Sequence, residues 1–83
     1  MPDGKIVENV VSYLVTSLVD NPDEVEVEVV DQGGDSVVAE VRTAKPDMGR
    51  VIGRKGRVAN AIRAITSVAG EEEGLKTDVE FLD

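Results

Sequence analysis

Two glycines three residues apart enclose two cations in Gly53-Arg54-Lys55-Gly56, and a third cation, Arg57, follows at once. With no Cβ at either end of such a loop, another backbone can approach it closely. The pattern after the loop predicts a helix starting at about Arg57. The first N–H groups of a helix have no intrahelical acceptor, and the helix dipole adds partial positive charge there. Arg54, Lys55 and Arg57 place full charges at the same point. Glycine, cation and helix start in this order suit a phosphate oxygen. Arg50, Val51 and Ile52 lead into the loop, and Arg63 follows it on the predicted helix.

The type of phosphate ligand follows from the spacing. A nucleoside-triphosphate loop needs G-x-x-x-x-G-K-[ST], and counting from Gly49 puts Arg54 where its second glycine belongs. The dinucleotide fingerprint G-x-G-x-x-G fails as well, because Val51 stands two residues before Gly53. What remains is helix-GxxG-helix, through which a KH module holds the backbone of about four nucleotides of single strand. The plainer alternative is a turn between helices with solvated charges. The charge distribution argues against it. The chain carries −8 overall, yet Arg42, Lys45, Arg50, Arg54, Lys55, Arg57 and Arg63 lie within 22 residues that hold one acid, Asp47. That window carries +6 and the remainder −14. Local field, more than net charge, decides where a polyanion docks.

Other chemistries lack their residues. There is no cysteine or histidine, which removes disulfides and effectively excludes zinc, and leaves no usual base or nucleophile for catalysis. No cofactor motif is present. Glu24, Glu26 and Glu28 read as a solvated strand face. Glu71-Glu72-Glu73 lacks the spacing of a calcium loop and reads as a charged, solvated turn. The only aromatics are Tyr13, expected at the rim of the core, and Phe81, so no stacking platform for bases is expected. No apolar run is long enough to span a membrane. Met1-Pro2-Asp3-Gly4-Lys5 lacks the basic start and continuous apolar centre of a signal peptide, so the expected location is cytoplasmic.

The elements that must position the loop follow from periodicity. One domain of 83 residues buries roughly 60–65% of its unfolded surface, so its core is small and a second chain would help it. Residues 4–20 predict an amphipathic helix, with rows Ile6/Val10/Leu14/Leu18 and Val7/Val11/Val15/Val19, Asp3 as N-cap and a stop at Pro22. Strands are predicted over 24–30, where Val25, Val27 and Val29 alternate with glutamates, and over 36–43. The Gly-rich turn between them makes an antiparallel hairpin. Asp47 is expected to cap a short helix over Met48 to Ile52. A longer helix begins near Arg57 with Val58, Ala61, Ile62, Ile65 and Val68/Ala69 inward and Gly70 as its left-handed terminator. Leu75, Thr77, Val79 and Phe81 mark a third strand, parallel to the second across the two-helix crossover. The expected fold is α+β, in the order α-β-β-α-α-β: a three-stranded mixed sheet with three helices on one face and water on the other.

Val51-Ile52-Gly53-Arg54-Lys55-Gly56-Arg57, followed by Ala61-Ile62-Arg63, resembles the signature of the small bacterial KH-domain RNA-binding proteins of the KhpA (YlqC) family. The resemblance runs over essentially the whole chain, 1–83. It implies a type II KH domain that binds single-stranded RNA through Gly53, Arg54, Lys55, Gly56 and Arg57, together with Arg50, Val51, Ile52 and Arg63. It also implies self-association, a larger KH-domain partner with a second nucleic-acid-binding domain, and a part in post-transcriptional control or RNA chaperoning linked to cell elongation. Ala59 stands where many KH modules carry a large aliphatic residue, which implies a shallower groove. The alternative function is a protein–protein dimerisation module with weak or no RNA binding.

Overall fold

The structure, a computed structural model, describes residues 3–83; Met1 and Pro2, which open the segment read as unlike a signal peptide, lie outside the described residues. Helix α1 spans Lys5–Leu18, strands β1 and β2 span Glu26–Asp31 and Ser36–Arg42, helices α2 and α3 span Met48–Ile52 and Arg57–Glu72, and β3 spans Lys76–Leu82. Single 3-10 turns at Pro22–Glu24, Lys45–Asp47 and Arg54–Gly56 join them. The sheet order is β1-β2-β3, with β1 antiparallel and β3 parallel to β2.

Register explains the two faces of the sheet. Val29, Ala39 and Val79 form one row across the three strands, and Val27, Val41 and Phe81 the next. These rows meet Val7, Val11 and Val15 of α1, Val51 of α2 and Ile62 of α3 in a single aliphatic cluster. The alternate row of the pleat is Glu28, Glu40 and Glu80, on the opposite face of the sheet. The same period of two that gathers valines beneath the helices therefore gathers carboxylates on the other side. Val38 departs from the simple alternation: it lies on that outer face yet is buried, being central in the sheet between Val30 and Asp78.

Several element ends differ from expectation. Asp3 is not the N-cap of α1; Gly4 is, and Asp3 Oδ1 accepts a hydrogen bond from Lys5 N. The next two N–H groups, of Ile6 and Val7, both donate to Glu73 Oε2 at 3.2 Å, 67 and 66 residues away in sequence. Glu73 is thus no solvated turn residue but a carboxylate held at the positive end of α1. Glu24 belongs to a 3-10 turn before β1, because Pro22 fixes the chain in a turn before it extends. Gly70 lies inside α3, where a Cβ would strike the side chain of Thr77 and come within 2.9 Å of Leu75 O. The left-handed terminator is Gly74, at φ 70°. Leu75 N donates to Gly70 O and Gly74 N to Glu71 O, the paired bonds of a Schellman ending.

The inward side of α3 differs too. Ala59, Ile62, Thr66, Ala69 and Gly70 are buried, whereas Ala61, Ile65 and Val68 face outward, the last two at 48% and 64% exposure. Thr66 is tolerated inside because its hydroxyl donates to Ile62 O at 2.7 Å. Tyr13, expected at the core rim, is 71% exposed.

Candidate nucleic-acid interface

The loop between α2 and α3 is a succession of unusual backbone conformations. Gly53 has φ 76° and ψ 169°, a region essentially closed to residues with a Cβ. A Cβ there would lie 2.5 Å from Val58 Cγ2 and 2.9 Å from Val58 N. Lys55 is left-handed at φ 58°, ψ 24°, the one non-glycine residue with positive φ among those described. Gly56 follows at φ 72°, ψ 17°, and is the N-cap of α3. Gly53 N donates to Gly49 O and Gly56 N to Gly53 O, so the loop folds into one tight turn closed on α2.

This turn brings most of the expected cations together. Arg54 and Lys55 sit between the glycines and Arg57 on the first residue of α3, and all three side chains are exposed. Arg50, on α2 one turn before the loop, is exposed and pairs with Asp20 at 3.1 Å. Ile52 is half-buried beside Gly53. Val51 is fully buried in the aliphatic cluster, so it holds α2 against the core and offers no surface to a ligand. Ala59 likewise lies on the inward side of α3, at 2% exposure.

Arg63 stands apart. Its Nε donates to Val79 O on β3 at 3.1 Å, Nη1 donates to Asn60 Oδ1 at 3.2 Å, and its guanidinium lies 5.6 Å from the centroid of Phe81. With Asp78 also 3.6 Å away, this arginine is engaged along β3 and not at the loop.

A residue that sequence reasoning placed only as a helix cap proves to organise the site. Asp47 makes no capping bond to α2. It is 1% exposed, and its carboxylate accepts hydrogen bonds from Asp20 N, Asn21 N and Asn21 Nδ2 at 3.0–3.2 Å. The start of α2 is thereby fastened to the chain leaving α1. Burial pushes the Asp47 carboxyl up, but the hydrogen bonds from Asn21 and Asp20 and the charge of Arg50 outweigh it and hold the group below the usual carboxylate range. The sequence signal was that Asp47 is the single acid in a basic window, which fits an acid retained for structure. Among the described residues no group of three or more acidic side chains is arranged to hold a metal ion. No described helix is long and apolar enough to cross a membrane.

A mixed three-stranded sheet in the order α-β-β-α-α-β, with a GxxG turn between its second and third helices, is a type II KH domain. The model of the KhpA/KhpB KH domain matches residues 8–81. The chain is 37% identical over 73 residues to the RNA-binding protein KhpA of Borreliella burgdorferi, covering 88% of each. It is 42% identical over 72 residues to that of Caldanaerobacter subterraneus subsp. tengcongensis, covering 87% of this chain and 95% of the relative. It is 44% identical over 69 residues to that of Clostridium acetobutylicum, with 83% and 91% covered. The protein belongs to the KhpA/KhpB KH-domain family, whose relatives named above are RNA-binding proteins. The crystal structure of an Aquifex aeolicus Era variant bound to GDP.AlF4- superposes with a TM-score of 0.64 over 98% of this chain and 31% of that one; at 14% identity the likeness is one of fold.

Proposed function

We propose that the protein binds single-stranded RNA on the Gly53–Gly56 turn, with Arg54, Lys55 and Arg57, joined by Arg50, facing the phosphates. One observation carries this reading: three exposed cations stand on a turn whose positive-φ backbone brings them to the first residues of α3. Side chains at that point add to the partial charge of the helix end. Membership of a family whose relatives are named RNA-binding supports the same ligand. The acidic outer face of the sheet is unfit for a polyanion, which leaves the loop side. The chain acts in the cytoplasm as a post-transcriptional regulator or RNA chaperone, self-associating or pairing with a larger KH-domain protein.

The test is a titration of short RNA and DNA oligomers by fluorescence anisotropy at several salt concentrations. With two or three phosphates neutralised, log K falls against log salt with a slope of roughly −1.4 to −2.1. Arg54→Ala makes that slope shallower by roughly 0.7. The double variant Arg54→Asp/Lys55→Asp keeps its fold and loses RNA binding. Wild-type affinity in a folded double variant would rule out this turn as the RNA site and favour the dimerisation module. The exposed Ile65 and Val68 on α3 are the observation on that side.

A further inference from the structure

Among the described residues β3 is an edge of the sheet, with β2 on one side and no strand on the other. Lys76 N donates to Asp35 O at 2.8 Å, so Lys76, Asp78, Glu80 and Leu82 turn their peptide groups to β2. The residues between them, Thr77, Val79 and Phe81, turn theirs to the open side. Such a row is a template on which an extended segment of another chain can pair.

At Val79, the middle of that row, side chains already occupy both peptide groups. Its N–H donates to Asp78 Oδ1 at 2.8 Å, and its carbonyl accepts from Arg63 Nε at 3.1 Å. The same Nε lies 3.6 Å from the same Asp78 Oδ1, which closes a ring of carboxylate, guanidinium and peptide. Arg63 is braced on two further sides. Its Nη1 donates to Asn60 Oδ1 at 3.2 Å, and its guanidinium lies 5.6 Å from the centroid of Phe81. A paired strand would offer Val79 one acceptor and one donor. Asp78 and Arg63 supply that same pair from within the chain.

We infer that Arg63 and Asp78 form a latch that closes the open edge of β3 to strand addition by another polypeptide. An incoming strand must break both bonds and the ion pair before it gains its ladder bonds at Val79. The guanidinium against Phe81 also stands in its path. One blocked residue is enough, because Val79 is central: Thr77 and Phe81 on either side are then isolated positions, too far apart to start a ladder. The ion pair itself adds little to stability, since its side chains are 40% and 68% exposed. Its contribution is to keep a sheet edge from pairing with the wrong chain. The latch also accounts for an arginine that the basic segment holds away from the Gly53 turn.

Light scattering of the full chain up to ~1 mM, with circular dichroism to check folding and amide hydrogen exchange to locate contacts, tests the latch. Asp78→Ala frees the Val79 N–H at a side chain 68% exposed, so the fold is kept. Arg63→Ala/Asp78→Ala frees both groups. Both variants form assemblies larger than those of wild type, at concentrations lower by about tenfold or more. In those assemblies the amides of Thr77, Val79 and Phe81 exchange more slowly than in the same variant at high dilution. Asp78→Asn keeps an oxygen for the Val79 N–H and behaves as wild type. Folded Asp78→Ala that matches wild type in size at every concentration overturns the latch. Asp78→Asn assembling as readily as Asp78→Ala overturns the hydrogen-bond cap, because loss of charge is then sufficient. Added association that leaves the three amides unchanged lies on another surface and overturns the edge.

Discussion

Asn21 and Asp47 are 26 residues apart in sequence and joined twice in space: the backbone N–H and the side-chain amide of Asn21 both donate to Asp47 Oδ2, at 3.0 and 3.1 Å. Asn21 lies three residues beyond the end of α1, and Asp47 immediately precedes α2, six residues before Gly53. A five-residue helix has almost no stability of its own. The orientation of α2, and with it the place of the cations that follow, is held by this clasp and by Val51 in the core. Because the folded state lowers the Asp47 pKa, the proton binds the unfolded chain more readily. The stabilisation is complete above the unfolded value of about 3.9 and is lost as pH falls through the lower folded one. Asp47→Asn leaves donors of Asp20 and Asn21 short of an acceptor. It lowers stability at neutral pH and flattens the acid limb, so that the two proteins converge below pH ~4. Urea unfolding between pH 7 and pH 3 checks this, and a stability gap that stays constant with pH refutes it.

The two glycines of the turn differ in what they require. Gly53 combines a backbone region closed to a Cβ with a neighbour 2.5 Å from where that Cβ would stand, whereas Gly56 is left-handed with open space around it. Gly53→Ala therefore costs about 2–4 kcal/mol, from backbone strain and overpacking against Val58. Gly56→Ala costs about 1 kcal/mol from backbone strain alone. Chemical denaturation measures both, and equal losses at the two sites would refute the distinction.

Asp20 holds Arg50 at 3.1 Å, with both side chains more than half exposed. Such a pair contributes at most about 1 kcal/mol to stability. It also sets a carboxylate beside a cation assigned to RNA. Asp20→Asn changes stability by less than about 0.5 kcal/mol and raises RNA affinity about two- to threefold at low salt, the effect fading as salt screens it. Unchanged affinity at low salt would remove Arg50 from the site.

The sequence carried the element order, the strand pairing and the GxxG turn because each depends on a local signal: period two in Val25 to Val29, a Gly-rich hairpin, and glycines between helical patterns. It missed the contacts made at long range. Glu73 resembled any glutamate in a charged turn, and only the meeting of the end of α3 with the start of α1 brings it to Ile6 N and Val7 N. The inward row of α3 was misjudged for a related reason. Ile65 and Val68 have the better hydropathy, but Gly70 and Ala69 are the residues small enough for α3 to approach β3, and they set which side turns in. Arg63 could not be separated from the other cations by type, because its engagement depends on where Val79 O and Phe81 lie.

The row of Glu28, Glu40 and Glu80 across the sheet, with the cations gathered at the Gly53 turn, makes the molecule an electric dipole carried on a net negative charge. At long range an RNA strand is repelled by the whole; at short range it is attracted by one end. Encounter is therefore productive only from a narrow cone of approach, and repulsion rotates other arrivals away before they touch. Moderate salt weakens the long-range repulsion and the short-range attraction together. The association rate of this domain should consequently depend on salt much less than its dissociation rate does, the opposite of the behaviour of a uniformly basic RNA-binding protein.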